Sequence, residues 1–375
     1  MNANDATDDT SNLALLEASP AHVQAALDAN YAAWGPPLSK PDYVAREHAL
    51  TLTPFSQSTL KAWVLVHKDA PDTVLSSCET YTHDCLLRKN GTTTHGKCLA
   101  IASVFTPAAH RRKNYARTML TLLRDTRMTC ALASILYSDI GPEYYARLGW
   151  AVYPSRITTL DAAVKGMLLS NNNPAIAVVT PQEVPALIER ARAAVVRRVE
   201  TSPSAATTPT TPTAAAAAAA SFAVLPSAEK ILWFHARALY YAKTLAPANA
   251  TPDVLAAVGL RRLLLGGKQQ QASFILWYVD FAERKLKVLL AHEEQEDDGG
   301  DGTALRELVC AARRWAAGAD LKAVEVWDVD VGADGEEGVV VGDRTSSLSS
   351  LTILDGATTS ADGINWVANE RYAWV

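Results

Sequence analysis

Leu99-Ala-Ile-Ala-Ser-Val-Phe105 is an apolar run of strand length, followed by Thr106-Pro107 and then a basic turn, Arg111-Arg112-Lys113-Asn114-Tyr115-Ala116. Beyond the turn, Tyr115, Met119, Leu122 and Leu123 recur at i, i+4, i+7 and i+8, which predicts a helix with one buried face. Ala131 to Tyr137 predicts a second strand, and Pro142 to Leu148 a short helix ending in Gly149-Trp150. A strand that runs straight into a helix leaves the first N–H groups of that helix facing open space, where they form an anion site. Arg111, Arg112 and Lys113 add charge there, so the expected ligand is a phosphate, and specifically a pyrophosphate. Asn114 stands where the turn must tighten, and Asn tolerates positive φ. No Gly-Lys-Ser/Thr makes this a Walker loop, and no three-glycine set makes it a dinucleotide fingerprint.

Val104-Phe-Thr-Pro, followed by Arg111-x-x-Asn114-Tyr115-Ala116, resembles the acyl-CoA signature of the GCN5-related N-acetyltransferase (GNAT) superfamily, Arg/Gln-x-x-Gly-x-Gly/Ala. Asn114 here stands for the first glycine. Downstream, Tyr144-Tyr145-Ala146-Arg147-Leu148-Gly149-Trp150 is similar to the same family's aromatic-Tyr-x-x-aliphatic-Gly-aromatic motif. More narrowly, Tyr137 to Trp150 and the tail Trp366 to Val375 resemble the fungal lysine N-acetyltransferases of lysine catabolism. The resemblance implies an α+β fold built on a mixed sheet, antiparallel but locally parallel where acetyl-CoA enters as co-substrate. It also implies cofactor contacts from Val104, Phe105, Thr106, Arg111, Arg112, Lys113, Asn114, Tyr115, Ala116 and Ser138.

With 375 residues the chain has room for two cores, and half of it is hydrophobic with a fifth charged, the profile of a globular protein. No apolar run reaches membrane-spanning length. The polar, acidic Met1 to Asp9 is the reverse of a signal peptide, so the expected compartment is the cytosol. A net charge of −5 argues against nucleic acid as a partner and is compatible with a cationic small substrate. The five cysteines form no CxxC pair, and the eight histidines show no metal-binding spacing, so neither a disulfide frame nor a metal is expected.

Residues 1–12 are expected to be a disordered tail, 13–165 the acetyltransferase domain, 166–220 a connecting segment and 221–375 a second α+β domain. Pro20 to Ala33 reads as the first helix. Arg46 to Leu52, Ala62 to His67 and Val74 to Arg88 read as strands, with Arg156 to Leu160 closing the first sheet. Thr201 to Ala220 is a low-complexity Thr/Pro/Ala loop. In the second half, a helix over Lys230 to Thr244 precedes a hairpin, Phe274 to Phe281 with Lys285 to His292. A helix over Leu305 to Ala317 and a strand over Val324 to Val329 follow. That order echoes the first half without its basic turn, as expected of a degenerate GNAT-like copy. The Asp-Gly-Gly-Asp-Gly run within Glu293 to Gly302 lacks the ligand spacing of a calcium loop.

Acetyl transfer to an amine requires a neutral amine, a polarised carbonyl and a protonated leaving thiolate. By the resemblance, Tyr145 protonates the sulfur and a backbone N–H near Phe105 faces the carbonyl. A lysine ε-amine titrates near pH 10.4, so a carboxylate must take its proton. Glu79, on the strand beside the cofactor strand, is one candidate base. The terminal carboxylate of Val375 is another, because an aromatic tail docks somewhere and related two-domain enzymes bring their terminus into the site. Asp139, Glu143 and Glu370 are candidates to bind a cationic substrate, each with a surface or capping role as the alternative. The expected reaction is acetylation of free lysine at its ε-amine, by a monomer or homodimer. Another small amine (a polyamine, aminoglycoside or mycotoxin amine), a protein substrate or a non-catalytic acyl-CoA-binding role stands beside it.

Overall fold

A computed structural model describes residues 10–163, 176–202, 220–245, 260–263, 273–293, 303–354 and 363–375. The chain opens with β1 (Leu13–Glu17), α1 (Pro20–Trp34), α2 (Lys40–Thr51) and α3 (Pro54–Thr59). Each helix starts in the same way: Ser19, Ser39 or Thr53 caps it with a side-chain oxygen, and a proline occupies one of the first two positions. This device overturns the strand expected over Arg46 to Leu52. Ser39 accepts from the Asp42 N–H and starts α2 upstream, so Tyr43, Arg46 and Leu50 become one buried helical stripe.

The quoted stretch folds at the centre. β2 (Leu60–His67) pairs antiparallel with β3 (Ser76–Lys89), which forms a long hairpin with β4 (Thr92–Phe105). α4 (Tyr115–Arg127) crosses over to β5 (Ala133–Ser138), parallel to β4. Met119, Leu120 and Leu123 of α4 are fully buried against Trp63, Leu65, Cys78, Ile101 and Leu136. At about 1.5–3 kcal/mol per buried side chain, this face is what holds the crossover to the sheet.

After α5 (Glu143–Ala146) and β6 (Ala151–Val152), the two halves exchange strands. β7 (Arg156–Asp161), expected to close the first sheet, joins the second instead, between β13 (Ala323–Trp327) and β14 (Val339–Asp343). In return β15 (Leu348–Ile353) leaves the C-terminal half and lies between β5 and β6. β9 (Ala220–Val224) also adds to the first sheet, on β3, and carries β16 (Ile364–Trp366).

The second sheet runs β14-β7-β13-β12-β11-β10-β8, with β8 (Ile176–Val179), β10 (Leu260–Leu263), β11 (Phe274–Asp280) and β12 (Lys285–His292). α8 (Thr303–Gly318) links β12 to the parallel β13. Hairpin, crossover helix, parallel strand and then a strand borrowed from the other half is therefore the order in both sheets. α6 (Val184–Thr201) and α7 (Ala228–Leu245) fill the space between the sheets, in a core shared by Tyr81 and Ile135 of the first with Leu276 and Tyr278 of the second. Residues 1–9, most of the Thr/Pro/Ala-rich loop and most of the acidic loop expected over Glu293 to Gly302 lie outside the described residues. All five cysteines are free thiols, and no helix among the described residues is long and apolar enough to cross a membrane.

Candidate active site

The parallel pairing of β4 with β5 ends at Ile101 opposite Leu136, although β4 continues to Phe105 and β5 to Ser138. The cause lies on the other edge of β4. Ser77 opposes Phe105 while Glu79 opposes Ala102, so β4 carries one extra residue there. Ser103 takes up the excess at φ 52°, and such a bulge bends its strand and raises the local twist. The strands separate, leaving the Ala102 to Phe105 edge of β4 unpaired on the side of β5. Ser76 steadies its end, donating to the Phe105 carbonyl at 3.0 Å.

The basic turn stands beyond that end. Arg111, Arg112, Lys113 and Asn114 are exposed, and Arg112 and Asn114 have φ of 64° and 60°. Asn114 is the N-cap of α4 but its side chain makes no capping bond, so the first N–H groups of a thirteen-residue helix stay open. Tyr115 is buried beneath the turn, and Arg111 is braced by its bond to the Thr106 carbonyl at 3.1 Å. Exposed cations around open helix N–H groups are an arrangement that favours an anion.

α5 presents Tyr145, which is 9% exposed and packs edge-on against Tyr144 at 5.1 Å. Its hydroxyl makes no hydrogen bond to any described residue, and burial pushes its pKa well above the ordinary tyrosine value. Gly149 turns the chain out of the helix at φ 100°, where a side chain is strained. Trp150 then drops into the core and donates to Ser134, which donates to the Leu99 carbonyl, tying the second motif to both parallel strands.

On the opposite face of the sheet, Glu79 accepts from the Ser103 hydroxyl at 2.9 Å and from Tyr81 at 3.4 Å. Burial, reinforced by the negative charge of Glu47, raises its carboxyl to about 7 despite these two bonds. Glu47 is held by Arg46, whose guanidinium Nε lies 2.9 Å from it and which also bonds the Tyr241 hydroxyl. Beside Tyr81, Lys230 is 1% exposed, with its Nζ 3.8 Å from the Trp233 ring centre and within 6 Å of Phe55, Tyr81 and Phe234. That Nζ has no hydrogen-bond partner, and burial drives its pKa well down.

The tail docks from Trp366 to Ala373, all of it buried. Tyr372 donates to the Val224 carbonyl at 2.6 Å, and Trp374 stacks on Phe234 of α7 at 6.1 Å. Val375 is partly buried against the same core, so the chain end lies by the helix that carries Lys230.

The expected substrate carboxylates are committed elsewhere. Asp139 accepts from the Ser347 N–H at 2.7 Å and anchors the loop before β15. Glu143 makes an exposed helical pair with Arg147 at 2.5 Å. Glu370 is buried and accepts from the Ala291 N–H at 2.8 Å, latching the tail to β12. Ser138 closes the turn after β5 through the Gly141 carbonyl at 2.7 Å. Glu47, Arg46, Ser103, Tyr81 and Lys230 escaped the sequence reading, since none stands in a motif and they meet only through tertiary packing.

The model of the family described as "LYC1 GNAT-like C-terminal domain" matches residues 164–375. A "Lysine acetyltransferase" of Yarrowia lipolytica is 30% identical over 155 residues, which cover 35% of this chain and only 38% of that protein. The crystal structure of a GCN5-related N-acetyltransferase from Kribbella flavida superposes with a TM-score of 0.51 at 14% identity, covering 92% of this chain and 72% of that one. One from Anabaena variabilis gives 0.52 at 10% identity, covering 92% and 73%. These likenesses establish the fold.

Proposed function

We propose that this chain, which belongs to the LYC1 GNAT-like family, is an acetyl-CoA-dependent N-acetyltransferase of small primary amines, with the ε-amine of free L-lysine as its acceptor. One observation carries the reading: the buried Glu79 carboxylate, its pKa pushed up to about 7, accepts from Ser103 at the bulge that opens β4 from β5. A base must be largely ionised at working pH yet basic enough to take a proton, and a value near 7 meets both needs. The "Lysine acetyltransferase" likeness supports lysine as the acceptor.

The residues present fit acetyl-CoA. An unpaired strand edge suits an extended amide-bearing arm, and an uncapped helix start with three cations suits a diphosphate. When bound, acetyl-CoA supplies an activated thioester. Glu79 removes the proton that keeps the acceptor amine from attacking. Amide hydrogens on the open edge of β4 polarise the carbonyl. Tyr145 keeps its proton through the working pH range and delivers it to the leaving sulfur. No covalent enzyme intermediate is needed, and the amine attacks the carbonyl directly. A cytosolic site of action goes with this reading.

The test is thiol release from acetyl-CoA across a set of free amines, with the product identified by mass. Turnover with L-lysine to N6-acetyl-lysine supports the proposal. Turnover only with other amines would replace the acceptor, and no turnover with any amine would remove the activity.

A further inference from the structure

One cation beside this site makes no direct ion pair among the described residues. Arg237, on α7, is half-buried, and its guanidinium carbon lies 5.4 Å from the Tyr241 ring centre and 5.7 Å from that of Trp374. Among the described residues it makes no hydrogen bond and no ion pair. Glu47 and Asp280 act on its charge from nearby, and each also has a closer partner of its own. Arg46 stands over the same Tyr241 ring at 5.1 Å but pairs with Glu47, and Asp280 pairs with Lys287 at 2.9 Å.

We propose that Arg237, set over the Tyr241 and Trp374 rings, binds the α-carboxylate of an amino-acid acceptor whose side-chain amine is directed to Glu79. The inference rests on the acetyltransferase reading above and specifies how its acceptor is chosen. A guanidinium placed on aromatic faces keeps its N–H edges free, and those edges match a carboxylate in two parallel hydrogen bonds. Burial opposes the charge of Arg237, but Tyr278, Tyr241, Asp280 and Glu47 together outweigh it, so the guanidinium stays charged with its N–H groups available to a ligand. Glu47 joins the two ends of the site, since its charge acts on Glu79 and on Arg237 alike. The acceptor thus meets a cation at one end and carboxylates at the other, the complement of a zwitterion with a distal ammonium.

This gives the docked tail a function. Trp374 forms one wall of the carboxylate site and is fixed by its stack on Phe234.

The experiment compares L-lysine with 1,5-diaminopentane, which has the same chain and amine but no carboxylate, using the full-length protein and acetyl-CoA. Wild type is expected to favour L-lysine in kcat/KM by about a hundredfold, the scale of a charge-assisted bidentate contact. Arg237→Gln should lose about that factor for L-lysine, mostly in KM, with the diamine and the KM for acetyl-CoA nearly unchanged. Arg237→Lys should recover part of it, and thermal melting verifies that both variants fold. Three results overturn the proposal while the acetyltransferase reading survives: equal use of both amines by wild type, equal losses on both in Arg237→Gln, or an unchanged preference in that variant. If wild type turns over no amine at all, the reading and the proposal fall together.

Discussion

Ser103 donates a hydrogen bond to the Glu79 carboxylate at 2.9 Å from the one residue of β4 whose backbone is left-handed, at φ 52°. The distortion that parts the two parallel strands and the contact that orients the proposed base therefore belong to a single residue. A bulge re-aims a side chain as well as bending a strand, and here both consequences fall in the site.

Glu79→Gln keeps the shape of the side chain and removes its basicity. Turnover should fall by about a hundred- to ten-thousandfold, with the KM for acetyl-CoA little changed. In wild type the working form is the ionised carboxylate, so kcat/KM should rise tenfold per pH unit up to about 7 and level off above it. The variant should lose that limb of the profile; retention of the limb would assign the base elsewhere.

Tyr145→Phe removes a hydroxyl that bonds no described residue, so the melting temperature should hold. Turnover should drop about ten- to a hundredfold if the hydroxyl protonates the leaving thiolate. Steady-state kinetics beside a melting curve separate the two effects.

Replacing Arg111, Arg112 and Lys113 together by alanine should raise the KM for acetyl-CoA by about ten- to a hundredfold, with kcat preserved, as expected when exposed cations hold a phosphate. Asn114→Gly should be tolerated at φ 60°, whereas Asn114→Val should cost about 1–2 kcal/mol and weaken acetyl-CoA binding. Calorimetric titration of the variants with the coenzyme reads both.

Lys230→Met replaces a buried amine without a partner by an apolar chain of similar shape. Burial lowers the pKa of Lys230 in the folded state, while the unfolded chain keeps the ordinary lysine affinity for a proton. Folding therefore releases a proton, and wild-type stability at this site increases with pH. The variant should melt higher than wild type at pH 7, by a margin that narrows as pH approaches 10. A lower melting point at pH 7 would show that the amine has a stabilising partner.

An extension after Val375 should impair activity, and an equal extension before Met1 should not, because Trp366 to Ala373 is buried and the chain end packs on α7. Comparing the two tagged proteins in the same assay tests this.

The centre of the fold was legible because it is written locally. Apolar spacing across Tyr115, Met119 and Leu123 specifies a helix face, a left-handed Asn114 marks the tight turn, and Gly149 marks where the second motif must reverse. Arg46 to Leu52 misled because its apolar spacing is short, and the Ser39 cap upstream decides its conformation. The sequence marks β7 as a strand but does not specify its sheet. Alternation along a strand tells which face is buried but not which neighbour supplies the backbone hydrogen bonds.

The sequence alone determined the strand–turn–helix with its basic turn, the family likeness and the aromatic tail that has to dock, since each depends on residues within a few turns of one another. Only the tertiary structure decided the exchange of β7 and β15 between sheets, the meeting of Glu79 with Ser103 and the placement of Arg237 against Trp374. Those features depend on desolvation and on partners brought from distant parts of the chain, and no local spacing encodes the distance between two side chains that meet only after packing.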